Sequence, residues 1–280
     1  MPRRIAFINE KGGSGKTTLV ANLAVYLALR RGYRVLAIDM DPQGQLGKVL
    51  GLEVRRPRAS AIALLVDSLL GRDLDADDQE GRRSDRADAL PPWQHTRVPN
   101  LDVVVANKSL ALFPGWTGSE SDDPTGALLA HLDASPESEA YDFILFDAPP
   151  SFGPLTLNVL RAAEEVVIPV PLTFLALDGC AELCRTLARV RARHPDEPLE
   201  ITMVIPTFYR RTRLAAEILD KLKKRFPKEI AQTVVGYHVR IDEAQSRSLS
   251  IFEYAPSDRG AQRMAALAEE LEARRKGEVV

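Results

Sequence analysis

Cysteine is nearly absent: Cys180 and Cys184 are the only two in 280 residues, too few for a disulfide framework. No apolar run approaches the roughly 18 residues that a membrane span requires. The opening MPRRIAFINEKGG has neither the apolar core nor the small-residue cleavage site of a secretory leader, so a cytoplasmic protein is expected. Charged residues are 27% and hydrophobic residues 45% of the chain, which excludes a disordered chain and a coiled-coil rod. The net charge of −2 is small but unevenly spread. Residues 1–52 carry +5 and residues 201–280 carry +4, against −8 over 53–143 and −3 over 144–200. A basic C-terminal region can bind a polyanion locally whatever the net charge, because salt screens the distant acidic groups.

Short runs rich in Val, Ile and Phe alternate with helix-like periodic segments. The runs are Arg4–Ile8, Val35–Ile38, Leu101–Val105, Phe143–Phe146, Val166–Val170 and Ile201–Ile205, with a weaker one at Thr233–Tyr237. The periodic segments are Thr17–Arg30, Ala61–Leu70, Leu155–Ala163, Ala176–Arg193, Leu214–Phe226 and Gly260–Arg275. This alternation predicts an α/β fold, a mostly parallel twisted sheet with helices on both faces. Residues 71–100 interrupt it with acidic residues and arginines and end in Pro91, Pro92 and Trp93. They read as a mobile surface insertion in a single domain spanning 1–280. A second irregular stretch is Pro114–Pro124.

The chemistry begins where the first strand ends. NEKGGSGKTT joins Arg4–Ile8 to an apolar-periodic helix. Gly12, Gly13 and Gly15 let successive N–H groups turn inward toward phosphate oxygens, and the helix N-terminus adds its positive end. Ser14 and Thr18 complete the loop. Lys16 is placed to reach the β- and γ-phosphates, and the Thr17 hydroxyl to ligate Mg²⁺. Where the ordinary GxxxxGK[ST] pattern has its first glycine, this chain has Glu10, followed by Lys11 before the double glycine. Two carboxylates close strands: Asp41 in IDMDPQGQ and Asp147 in FILFDAPPS, with Asp39 in a supporting position.

The loop xKGGxGK[ST] with both aspartates resembles the ParA/MinD superfamily of P-loop ATPases, which carries a deviant Walker A motif. The resemblance runs from Arg4 to about Leu271. It implies a single P-loop NTPase domain that binds ATP and Mg²⁺ and hydrolyses ATP. Lys11, Lys16 and Asp41 would form the catalytic set, with Lys11 crossing a homodimer interface to the partner's nucleotide. Thr17, Asp41 and Asp147 would serve the metal. Pro206, in PTFYRRTRL, would join residues 11–18 at the nucleotide. DPQG, DAPPSFGPLTLNVLRAAEEVVIPVP, VRIDEAQS and DRGAQ are similar to short partition ATPases of the ParA or Soj type. That similarity implies an ATP-state homodimer binding DNA without sequence preference through Arg211 and Arg240. It also implies a ParB-like activating partner and nucleoid association in the cytoplasm.

Some positions depart from that pattern. The usual NVRLSEAPS reads HVRIDEAQS, with Asp242 and Gln245 in place of Ser and Pro. Glu10 replaces a commoner Gln, and VVAN replaces LPAN. These bear on the partner more than on the chemistry. Three other readings compete. MinD-like membrane cycling needs an amphipathic basic helix at the C-terminus, whereas GAQRMAALAEELEARRKGEVV is alanine-rich and carries Glu269, Glu270 and Glu272, so no membrane partner is expected. An iron–sulfur relative needs more cluster ligands than Cys180 and Cys184, which read as buried free thiols. A P-loop small-molecule kinase leaves Lys11 without a task. The cargo, whether chromosome, plasmid or protein assembly, is not legible.

Overall fold

The computed structural model describes residues 1–55, 60–66, 93–115, 123–174 and 176–274. Seven strands form one sheet: β1 (Arg3–Phe7), β2 (Val35–Asp39), β3 (Gln94–His95), β4 (Leu101–Val104), β5 (Phe143–Asp147), β6 (Glu165–Pro171) and β7 (Glu200–Thr207). Their order is β3-β4-β2-β5-β1-β6-β7. Every pairing is parallel except β3 with β4, which is antiparallel. The inner strands are buried along both faces, as expected for a parallel sheet covered by helices.

Side-chain alternation sorts the core into two layers. Ala6, Ile8, Ile144 and Phe146 point to the face covered by α3 (Ala127–Ala134), α4 (Pro154–Ala162), α5 (Ala176–Arg193) and α6 (Arg213–Arg225). Ile5, Phe7, Phe143 and Leu145 point to the other, covered by α1 (Lys16–Arg31) and a C-terminal helix, Arg259–Ala273. Further helices are α2 (Gln45–Val49), α7 (Val239–Ser246) and α8 (Ile251–Tyr254), and Arg259–Ala273 is α9. The apolar stripe of α9, Met264, Leu267 and Leu271, is at most 1% exposed and packs on α1. It faces the core, where a membrane-seeking helix would leave it outside. Among the described residues no helix is long and apolar enough to cross a membrane.

Two sequence expectations are corrected. Thr233–Tyr237 is no strand: it makes one isolated bridge, Tyr209 to Gly236. The Val235 N–H donates to the Pro206 carbonyl at 2.9 Å and the Tyr209 N–H to the Val235 carbonyl at 3.2 Å, so the segment lies against the end of β7 without forming a ladder. The insertion expected over 71–100 is ordered at its C-terminal end, where Trp93 packs edge-on to Tyr141 with centroids 6.2 Å apart. Next to it, His95 and Gln94 form β3 on the sheet edge. Residues 71–92 lie outside the described residues, as do 116–122 of the second irregular stretch and 67–70 of the helix expected over 61–70.

Candidate functional site

The phosphate loop leaves β1 between β5 and β6, at the carboxyl edge of the sheet. Two side chains from outside the loop fix its course. Asn9, 7% exposed, donates from Nδ2 to the Pro169 carbonyl of β6 (2.6 Å) and accepts the Lys11 N–H (2.8 Å). The Thr207 hydroxyl of β7 donates to the Ser14 carbonyl (3.0 Å). Gly15, the residue before α1, sits at φ +93, a left-handed conformation that side chains resist. The ring of Phe208 lies over it. Phe208 itself has φ 53, unusual for a bulky residue.

Within this frame the two loop lysines part company. Lys16 is buried, and its Nζ donates to the Asn9 carbonyl at 2.8 Å. Burial lowers its pKa, opposed by the charges of Asp147 and Asp41. Lys11 is exposed at the lip, its Nζ 3.0 Å from Thr173 Oγ1 just past β6. Gly12 and Gly13 form the exposed crest between them, while Ser14 is buried.

The aspartates close neighbouring strands, with Asp39 of β2 paired in register with Asp147 of β5. Thr17 donates its hydroxyl to Asp147 Oδ2 at 2.6 Å. Burial pushes the Asp147 carboxyl up to about 7, against the opposing pull of the Thr17 hydroxyl and Lys16. Asp39 is fully buried, and desolvation with the nearby Asp147 charge raises it well above the carboxylate range. Its oxygens accept the N–H groups of Asp41 (3.0 Å) and Leu46 (3.1 Å), so Asp39 shapes the loop that carries Asp41. Asp41 is half-buried and accepts the Gln43 N–H at 3.0 Å. In this loop Gly44, at φ +60, passes so close to the Ala106 carbonyl that a Cβ has no room.

A cavity of about 70 Å³ adjoins the loop, lined by Gly15, Thr18, Phe208, Tyr237, His238 and Asp242 among others. Pro206 is buried in β7 one residue short of its wall; Thr207 and Phe208 line it. Arg211 and Arg240 are exposed on neighbouring segments. Those segments meet at the Tyr209–Gly236 bridge, and the Arg210 guanidinium lies 5.9 Å from the Tyr237 ring centroid. Arg240 pairs with Glu243 at 2.8 Å. The carboxyl edge therefore gathers residues 11–18, Asp41 and Asp147, with the arginines on its flank. Sequence reasoning missed Asn9 and Phe208; a polar side chain directly after a strand was the one available hint of Asn9.

The donor set fits a hard divalent cation. Thr17 Oγ1 and the Asp147 carboxylate bring oxygen atoms to one spot, and Asp147 Oδ1 is buried without a hydrogen-bond partner. Ser14 Oγ is likewise buried and unpartnered. Among the described residues no group of three His, Cys, Asp or Glu side chains could hold a metal. One hydroxyl and one carboxylate suit magnesium, which is held by one or two carboxylates and keeps water or phosphate oxygens besides. A bound cation would hold Asp147 ionised despite its burial.

Strand, glycine loop, buried lysine and strand-end aspartates together define a P-loop NTPase fold. An AAA domain family model, AAA_31, matches residues 2–201. The chain is 38% identical over 272 residues to the chromosome-partitioning ATPase Soj of Thermus thermophilus, covering 97% of this chain and 96% of that one. It is 36% identical over 277 residues to the sporulation initiation inhibitor protein Soj of Bacillus subtilis, covering 98% and 99%. In structure it is similar to cobyrinic acid a,c-diamide synthase of Mycobacterium smegmatis with bound ADP and magnesium. There the TM-score is 0.74 at 25% identity, covering 99% of this chain and 98% of that one. The chain belongs to the ParA/Soj family of P-loop ATPases.

Proposed function

We propose that this protein is a partition-type ATPase: it binds Mg-ATP, dimerises on it, holds DNA without sequence preference, and hydrolyses ATP when a ParB-like partner engages. The observation that carries this reading is the split between the lysines. Lys16 is buried beneath the loop, whereas Lys11 stands exposed at its lip beside Thr173. A small-molecule kinase needs the first and has no use for the second. A dimer that shares nucleotides across its interface needs both.

The residues then divide the work. The loop N–H groups and the α1 N-terminus cradle the phosphates, and Lys16 neutralises them. The cavity beside Thr18 accepts the base. Thr17 and Asp147 would hold the metal, which when bound would supply positive charge against the phosphates. Asp41, on the half-buried loop shaped by Asp39, orients the attacking water. Lys11 adds positive charge from the opposite protomer. Arg211 and Arg240 bind DNA phosphates, and pairing two protomers doubles the basic surface, so nucleotide sets DNA affinity. The name of the Thermus thermophilus relative, a chromosome-partitioning ATPase, supports DNA as the cargo.

The test uses Asp41→Ala, expected to bind ATP and dimerise without turnover, on random-sequence DNA and on anionic vesicles, with ATP and with ADP. ATP-dependent binding to DNA alone is the expected result. Vesicle binding would move the protein to membrane cycling. Binding to neither would reject surface cycling, and normal turnover by Asp41→Ala would remove Asp41 from catalysis.

A further inference from the structure

Gln245 stands where the pattern NVRLSEAPS has Pro, and it reaches the phosphate loop. Its Nε2 donates to the Thr18 hydroxyl at 2.8 Å, joining residues 227 apart in sequence. Thr18 follows Thr17 on the first turn of α1 and lines the cavity beside the loop. A hydroxyl has one proton to give and lone pairs to receive. With a lone pair engaged by the Gln245 amide, the Thr18 proton is left free for another acceptor.

The bond is one stitch in a polar seam. Asn22, one turn along α1 and fully buried, donates to the Thr18 carbonyl (2.8 Å) and accepts the Ile251 N–H at the start of α8 (2.9 Å). From the far side, Arg97 donates to the Ser248 carbonyl (2.6 Å) in the turn between α7 and α8, and to the Leu50 carbonyl (2.6 Å) after α2. It also grips Glu253 at 2.7 Å. Helix α7, which carries Arg240, is thus tied at its C-terminal end to the α1 face behind the phosphates and to the segment that follows Asp41. Of these ties, the Gln245 amide is the one made to a side chain of the phosphate loop itself.

We propose that Gln245 is a positioning residue that orients the Thr18 hydroxyl as a donor to bound nucleotide and thereby ties occupancy of the loop to the basic helix α7. The proposal rests on the partition-type reading above. By linkage, whatever nucleotide gains from this bond in the DNA-bound arrangement, DNA gains in the nucleotide-bound one.

The test is a double-mutant cycle on Gln245→Ala and Thr18→Val in the otherwise intact chain. Dissociation constants of Mg-ADP and a non-hydrolysable Mg-ATP analogue are measured, with the nucleotide-induced rise in Tm. Gln245→Ala is expected to weaken nucleotide about 5-fold, as loss of one oriented hydrogen bond does. Nucleotide-free Tm should stay close to wild type. Gln245→Glu, a carboxylate that draws the Thr18 proton to itself, should weaken it further, about 10-fold or more. In the Thr18→Val background neither change should matter. The ratio of DNA affinities with ATP analogue and with ADP should fall in Gln245→Ala.

Wild-type nucleotide affinity in Gln245→Ala, or losses that add fully with Thr18→Val, would overturn the positioning role. An unchanged DNA ratio would overturn the tie to α7. If wild-type protein itself bound no nucleotide, the partition-type reading would fail first, so the two failures are told apart by the wild-type control.

Discussion

The two ends of the same parallel sheet treat buried charge in opposite ways. At the amino end, Glu165 opens β6 with its side chain 3% exposed, and Arg3 meets it with two parallel bonds of 2.8 Å. Arg3 also donates to carbonyls at the C-terminal end of α9, and Arg274 donates to the carbonyls of Glu229 and Ile230 and to Glu270. At the carboxyl end, Asp147 is equally buried but keeps one oxygen without a partner. Beside it Lys16 makes its bond to a backbone carbonyl, and Ser14 Oγ makes none. A buried charge left half-satisfied costs stability unless something else completes it. The amino end is completed within the chain, and the carboxyl end is arranged for a ligand. Ligands in open α/β sheets lie beyond the carboxyl ends of the strands, where such groups stay open.

Mutations at the two ends should separate binding from stability. The largest effect is expected from Lys16→Ala: nucleotide affinity should fall by about three orders of magnitude, roughly 4 kcal/mol, in a fluorescent-nucleotide titration. Because Lys16 is desolvated, its removal should leave nucleotide-free Tm unchanged or higher. At the other end, Glu165→Ala strands the Arg3 guanidinium. It should cost about 3 kcal/mol, lowering Tm by about 5–10 °C, while nucleotide affinity stays at the wild-type value. A drop in both properties for either variant would erase the distinction. Asp147→Asn sharpens it: magnesium should no longer tighten nucleotide binding, a loss of about 10-fold or 1.4 kcal/mol. Its Tm should stay within about 1 kcal/mol of wild type, since a buried carboxylate with an orphan oxygen is replaced by a neutral amide.

The open end was the more legible of the two, for a physical reason. A phosphate loop is local: strand, glycines, lysine and helix follow one another within a few turns of chain, and Asp41 and Asp147 each terminate an apolar run. The supports of that loop are not local. Asn9 acts on Pro169, Thr207 on Ser14 and Gln245 on Thr18, pairings that periodicity and spacing do not encode. The strands expected over Arg4–Ile8, Val35–Ile38 and Phe143–Phe146 lie within one residue of β1, β2 and β5, because burial on both faces leaves an unbroken apolar signature. Thr233–Tyr237 has similar composition, yet its backbone bonds go to the end of β7 and no neighbouring ladder accepts it. Helix α7, eight residues of weak amphipathicity, carries a recognisable motif and no helical periodicity. The two-residue strand β3 is too short to leave any pattern.

The smallest effect tests whether the arginines obey the same division. Those at the closed end are engaged by internal oxygens. Those at the open end are held loosely: Arg240 meets Glu243 across one turn of α7, with the side chains 56% and 40% exposed. An exposed pair of this kind contributes little to stability, so Arg240→Ala should not move Tm measurably. Its expected effect is on DNA, where removing one phosphate-binding cation lowers the slope of log affinity against log salt by about 0.9. Arg274→Ala is the mirror variant, with Tm lowered and the salt slope unchanged. Measuring both slopes on random-sequence duplexes with the ATP analogue gives the comparison a crossed design. If Arg274→Ala lowered the slope and Arg240→Ala did not, the DNA face would lie at the amino end of the sheet, away from the nucleotide. ATP could then control DNA binding only through a change spanning the whole domain.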